Sequence, residues 1–306
     1  MEKTLAFHDL VIILCGIAMG TIARIATLRI DTRQNPSYPT GGFISIVIGI
    51  LASALGAVAI PSLLNKEFTA VTFIALAIQH FRDVRKTEKE SLEDLEKTEY
   101  SKRGAAYIDG IAKTYESRNY LSLLTSLFVV LILSILSLDS LLLNMLVALV
   151  SGLCIIYFLT RLTKGKCIGD ICNIKEGKLT IDHSDLFVDG MYVTNVLGTR
   201  KSREIFLKEG IGIVIEPKSS KFRITLENYG QRQAMLFEAT RTFGVKRYSF
   251  TRKNYTKGKL LLAFVPIVRD PDAIIDVIKK TPVLENSRKI NTIMDIDIGG
   301  GINGTE

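Results

Sequence analysis

Asp31 and Asp109 sit in polar stretches beside apolar segments and have the most chemistry to offer. Arg29 and Arg33 flank the first; Gly110, Glu116, Arg118 and Asn119 follow the second. Two carboxyls brought together share a proton, because like charges close by resist double ionisation. One then acts as general base on water and the other as general acid. At a membrane boundary that is the chemistry of an aspartyl peptidase. Plainer uses stay open. Asp31 can cap a turn or pair with Arg29 or Arg33, Asp109-Gly110 can be a turn, and Arg118 can pair with Glu116 or a phosphate head group. Glu116 is a third candidate carboxylate.

No other nucleophile or metal pattern competes. The chain lacks Gly-x-Ser-x-Gly, His-Glu-x-x-His and Gly-x4-Gly-Lys-[Ser/Thr]. Cys15 and Cys154 fall in apolar segments, where a thiol behaves as a small hydrophobe. Cys167 and Cys172 lack the tight spacing and second ligand pair of a zinc site. His8, His80 and His183 are scattered, His80 at the inner end of an apolar segment and His183 in an expected strand. Gly299-Gly-Gly301 follows no strand-to-helix entry and is a weak phosphate loop. No metal and no cofactor are expected.

The elements that must position the acids are unevenly apolar. Residues 10–29, 43–64, 120–138 and 140–162 are long enough to cross a bilayer, which takes about 20 residues. Residues 68–81 form a shorter fifth segment before charge begins. Nine Lys and Arg lie in 82–119, and Arg161, Lys164 and Lys166 follow the last segment. Basic residues mark cytoplasmic ends, so five spans place loop 82–119 and the C-terminal part in the cytoplasm and the N-terminus outside. The first span reads as retained rather than as a cleaved signal peptide. Gly16-x3-Gly20 and Gly49-x3-Ser53-x3-Ala57 are small-residue stripes suited to close helix approach, between the first two spans or across a homo-oligomer. Residues 83–99, dense in both signs with pairs such as Lys86/Glu90, suit a solvated helix, with a charged connector as the preferred reading.

Beyond Lys164 the pattern becomes that of a soluble α+β domain. Residues 165–196 read as a β meander with turns at Glu176-Gly177 and Asp189-Gly190. Helices are expected at 199–208, 231–243 and 271–280, and strands at 211–216, 222–226 and 259–268. From Arg241 to Arg269 there are eight basic residues and no acidic ones. Lys246, Arg247, Arg252, Lys253, Lys257 and Lys259 alternate with aromatics there. Such a face suits anionic lipid as well as a plain solvated strand pair; nucleic acid is the less favoured partner.

Two stretches go further. RIDTRQNPSYP runs from Arg29 to Pro39, and AYIDGIA from Ala106 to Ala112, followed by YESRNY from Tyr115. The second resembles the Tyr-Ile-Glu-Gly-Ile-Ala signature of the YIEGIA family, membrane proteins of endospore-forming Firmicutes, with Asp109 in place of the signature Glu. The stretch from Pro282 to Asn286 is also similar. The resemblance implies a role in sporulation, without a defined activity. The chain is therefore expected to comprise a membrane all-α N-terminal domain of about five transmembrane helices (1–164, with a charged cytoplasmic loop at 82–119), a cytoplasmic α+β domain (165–298) and a tail (299–306). It is expected in the cell membrane, or the forespore membrane. Membrane lipid and a protein partner or protein substrate are its expected partners. Two functions remain open: a peptidase using Asp31 and Asp109 to regulate protein levels in the spore compartment, and a non-catalytic scaffold recruiting a cytoplasmic partner.

Overall fold

The computed structural model describes residues 2–34, 39–64, 69–136 and 140–288; the side chains of 2–8, 29–34, 39–40 and 69–71 are outside that description. The chain divides into two compact units, one of Met1–Ser91 with Ile111–Lys164, the other of Leu92–Gly110 with Gly165–Glu306.

The first unit is helical. It comprises α1 (Glu2–Gln34), α2 (Pro39–Leu64), most of α3 (Thr69–Glu96) and α4 (Ala105–Leu136), and α5 (Leu141–Thr163). Four helices contain stretches long and apolar enough to cross a membrane: Asp9–Leu28, Gly41–Leu64, Ala105–Leu136 and Leu141–Thr163. The expected fifth is not among them. Residues 69–81 are the front of α3, which continues straight into the charged segment, so the apolar run is too short by itself. Large apolar side chains such as Leu142, Val150, Tyr157 and Phe158 on α5 face outward, as suits helices whose solvent is lipid.

The small-residue stripes work as close contacts between helices. A Cβ at Gly20 would come within 2.4 Å of Ser53 Oγ and 2.7 Å of the Ser122 carbonyl, and one at Gly49 within 2.4 Å of Arg24 Cγ. At Gly56 it would meet the Leu123 carbonyl oxygen at 2.4 Å. Thus α1, α2 and α4 approach almost backbone to backbone. Ile12, Met19, Ala57, Val129, Val130 and Leu133 fill the apolar part of the bundle, and Phe81 of α3 sets its ring edge-on to Tyr120 of α4 at 4.7 Å.

The second unit is a layered α+β domain. After the single turn α6 (Ile168–Ile171) come β1 (Cys172–Gly177), β2 (Leu179–Asp182), β3 (Asp185–Val188), β4 (Met191–Thr194), α7 (Arg200–Glu209), β5 (Ile211–Pro217), α8 (Lys221–Glu227), α9 (Tyr229–Phe243), β6 (Ser249–Asn254), β7 (Lys259–Phe264) and α10 (Pro271–Lys279). Strands β1-β5-β7-β6 form one antiparallel sheet and β2-β3-β4 another. The larger sheet is covered on both faces. Ile211, Ile213, Ile215, Leu260, Leu262 and Phe264 join Met235, Ile274 and Ile278 of the helices in one core. Val214, Leu261 and Ala263 meet Leu186, Val188, Val193 and Phe206 in the other. Double burial explains why β5 and β7 are continuous apolar runs rather than alternating ones.

Three local expectations are corrected. Residues 222–226 are helical, within α8, not a strand: Phe222, Thr225 and Leu226 recur at helical spacing, and the latter two are buried. Gly177 ends β1, paired with Gly212 of β5, and β2 belongs to the other sheet, so Glu176-Gly177 is not a hairpin turn. His183 lies in the β2–β3 turn at φ 53°, not in a strand. The Asp189-Gly190 turn is present, with both residues at positive φ as a tight hairpin requires.

Candidate functional site

Inside the first unit, a polar seam runs where α1, α2 and α4 meet. Arg24 of α1 is fully buried. Its Nε donates to the Ser45 carbonyl of α2 at 3.2 Å, and its guanidinium lies 4.7 Å from the Tyr115 ring centre. The hydroxyls of Tyr115 and Ser45 share a 2.5 Å hydrogen bond. Along α4 the seam continues through Arg118, Asn119, Ser122 and Ser126, all buried. Residues 115, 118, 119, 122 and 126 recur at helical spacing and form one stripe. Its far end is closed by Ser126 Oγ, which donates to the Ser53 carbonyl at 2.7 Å. In lipid, buried polar and charged side chains are costly and point to function by default.

The signature lies on α4, where the chain passes from one unit to the other. Its first part, with the preceding connection, belongs to the second unit and packs on α9. Tyr107, 2% exposed, donates its hydroxyl to Glu238 Oε1 at 2.5 Å and sets its ring against Phe237. Arg103, also buried, lies 4.9 Å from the Phe237 ring centre and donates to Glu99 at 3.2 Å. Glu96 accepts the Gly104 N–H at 2.7 Å, where φ of +85° calls for glycine. Gln233 donates to the Lys102 carbonyl at 3.1 Å. Leu284 lies against Gly110, and Ala106 against Gly230. The stretch from Pro282 is held by Gln231, whose amide nitrogen donates to the Pro282 carbonyl at 3.0 Å and whose oxygen accepts from Leu284 N at 2.7 Å and Ser287 Oγ at 3.1 Å. The two family-like stretches at 106–110 and 282–286 thus meet on the start of α9.

The two acids of the expected dyad are both helical. Asp31 falls in the last turn of α1, so the stretch from Arg29 to Gln34 continues the helix; the side chains of Arg29, Asp31 and Arg33 lie outside the described residues. Asp109 is half-buried within α4 and Asp109-Gly110 is not a turn, because α4 runs unbroken through it. Glu116 is bonded by Arg85 Nη1 at 3.4 Å. Arg118 and Asn119 belong to the buried seam.

On the basic hairpin, Lys246 pairs with Glu209 and Lys259 with Glu216 at 2.9 Å. The hydrogen bond from Lys259 holds the Glu216 carboxyl below its usual range. Arg252 lies over Tyr192, Arg247 over Tyr248 and Lys253 over Tyr255. Lys257 follows in the hairpin turn, its backbone N–H bonded to Asn254. Among the described residues no three His, Cys, Asp or Glu side chains gather to hold a metal. All four cysteines are free thiols. Burial pushes the Cys172 thiol up to about 12. Only the thiolate is nucleophilic, so Cys172 is expected to stay unalkylated by maleimide at neutral pH and to react once the domain is unfolded with denaturant; labelling of the folded protein at the wild-type rate of a free thiol would contradict this packing.

Ser45, Ser122 and Ser126 were not among the candidate residues, and Tyr115 entered only as the start of a family-like stretch. The polar stripe on an otherwise apolar α4 was a usable signal. Gln231 and Glu238 offered none, since their partners lie 51 and 131 residues away.

An uncharacterized protein of Bacillus subtilis (strain 168), YphB, is 33% identical over 287 residues, covering 92% of this chain and 94% of that protein. No solved structure matches the chain. The model of the family described as YIEGIA protein matches residues 12–293, a span that takes in the seam, the signature and the segment held by Gln231, and the chain belongs to that family.

Proposed function

We propose that this is a sporulation protein of the cell or forespore membrane that regulates protein levels by cutting peptide bonds at the membrane boundary. In this reading α3 completes a five-span bundle, the basic segments and the soluble unit face the cytoplasm, and Asp31 and Asp109 share one proton. The ionised carboxylate takes a proton from water as its oxygen adds to the scissile carbonyl carbon. The protonated partner then delivers a proton to the leaving amine as the C–N bond breaks. The observation that carries the reading is the buried polar seam. It lies on the same helices as the two acids: Asp31 follows Arg24 by two turns on α1, and Asp109 precedes Tyr115 by under two turns on α4. Buried charged and polar groups among membrane-length helices mark a functional site by default.

A second reading is favoured by a different observation. Tyr107 and Ile108, the signature residues that open the motif, are spent in packing, with Tyr107 bonded to Glu238. That is what a non-catalytic scaffold presenting its soluble unit to a partner needs. Asp31→Asn and Asp109→Asn separate the two. In sporulating cells each variant is expected to accumulate normally and to raise the level of the proteins normally removed, with peptide cleavage by purified protein down at least about a hundredfold. Unchanged protein levels and cleavage in both variants would leave the scaffold.

A further inference from the structure

The seam holds polar atoms that the protein itself leaves unmet. Asn119 is fully buried, and neither its amide oxygen nor its amide nitrogen has a hydrogen-bond partner among the described residues; the same is true of the Ser122 hydroxyl. Such atoms are expensive to bury, the more so where the surroundings are hydrocarbon. They lie next to charged positions. Tyr115, Arg118, Asn119 and Ser122 occupy one stripe about 10 Å long on α4, and Arg24 lies against its Tyr115 end. Arg24 and Arg118 are close enough to act on each other's charge, and Glu88 is within electrostatic reach of Arg24. Two guanidinium-bearing residues, an amide N–H and a hydroxyl form a donor set for an oxyanion, and planar guanidiniums match phosphate oxygens in pairs.

We infer that this seam binds a phosphate group, carried by an anionic phospholipid or as free inorganic phosphate. Asn119 Nδ2 and Ser122 Oγ donate to phosphate oxygens. Asn119 Oδ1 is an acceptor and calls for a ligand that also carries a donor: a head-group hydroxyl, as in phosphatidylglycerol, or a protonated phosphate oxygen. The site uses the seam that also supports the peptidase reading, but its ligating groups do not include Asp31 or Asp109, so phosphate binding can be tested apart from cleavage.

The test is thermal unfolding of the full-length protein in neutral detergent, with phosphatidylglycerol, phosphatidylcholine or inorganic phosphate added in turn. Phosphatidylglycerol is expected to raise the midpoint by about 5 °C at saturation, and phosphatidylcholine not to do so. An equal rise with inorganic phosphate alone would support the site and assign it to the free ion. Asn119→Leu, close in size and without polar atoms, is expected to abolish the rise. Arg252→Gln on the basic hairpin and Asp109→Asn are expected to keep it, which separates this site from surface charge and from the proposed peptidase. If Asn119→Leu does not fold, Ser122→Ala must weaken the response severalfold. No difference between the two lipids and no effect of phosphate would overturn the inference, as would a full response in Asn119→Leu or Ser122→Ala.

Discussion

Replacing Gly56 with valine is expected to leave little folded protein in the membrane. The Cβ alone would stand 2.4 Å from the Leu123 carbonyl oxygen and 3.3 Å from its Cα. Those are backbone atoms and cannot rotate aside, so α2 and α4 must separate. In lipid, no hydrophobic gain offsets lost contact between helices, since tails and leucine side chains are equally apolar. Parting them also loosens the Ser126–Ser53 bond one turn away. The cost is put at about 3 kcal/mol, the upper end for overpacking; alanine in place of valine is expected to show most of it. Gly42→Ala is the control, because nothing lies within 4 Å of a Cβ there. Detergent-extracted yield and unfolding midpoint check the comparison. If Gly56→Val and Gly42→Ala behave alike, the close approach of α2 and α4 is wrong.

Gln231→Ala is expected to be as damaging to the α+β unit. One fully buried amide serves three groups of the segment from Pro282 to Ser287. Removing it strands the Leu284 N–H and the Pro282 carbonyl, and each buried group left unmet costs about 1–3 kcal/mol. The total should be roughly 3 kcal/mol, since relaxation and water recover part. Gln231→Glu is the sharper test. It keeps shape and one acceptor but places a carboxylate oxygen opposite the Pro282 carbonyl, so it should rescue little. Limited proteolysis would show the difference as faster cleavage in 282–288, a segment that also touches Gly110 through Leu284. Near-wild-type resistance in Gln231→Glu would mean that packing, not hydrogen bonding, holds the segment.

Much of the architecture was legible before any coordinates. The long apolar runs, the helix beginning at Pro271 and the Asp189-Gly190 hairpin are local: each depends on residues within a few positions, and local energetics decide them. The small-residue stripes were legible as packing surfaces for the same reason, since residues four apart share a helix face. Errors arose where local pattern was ambiguous. KFRITL in α8 alternates and also satisfies helical spacing, and the covering of β5 and β7 by two layers settled the matter. The polar stretches at 29–34 and 105–110 read as loops because charge usually marks exposed connections, yet both continue helices.

By itself, then, the amino-acid order determined that this chain is a membrane protein with a folded α+β unit, and which short stretches carry its family likeness. Only the tertiary structure decided what those stretches do. It drew the first half of the signature onto α9, spent Tyr107 on Glu238, and sank Arg24, Arg118 and Asn119 into a seam among three helices. The physical reason is range. Helix, turn and span are chosen by neighbours along the chain, whereas a buried hydrogen bond or a close backbone contact joins residues tens of positions apart, and no periodicity records which will meet.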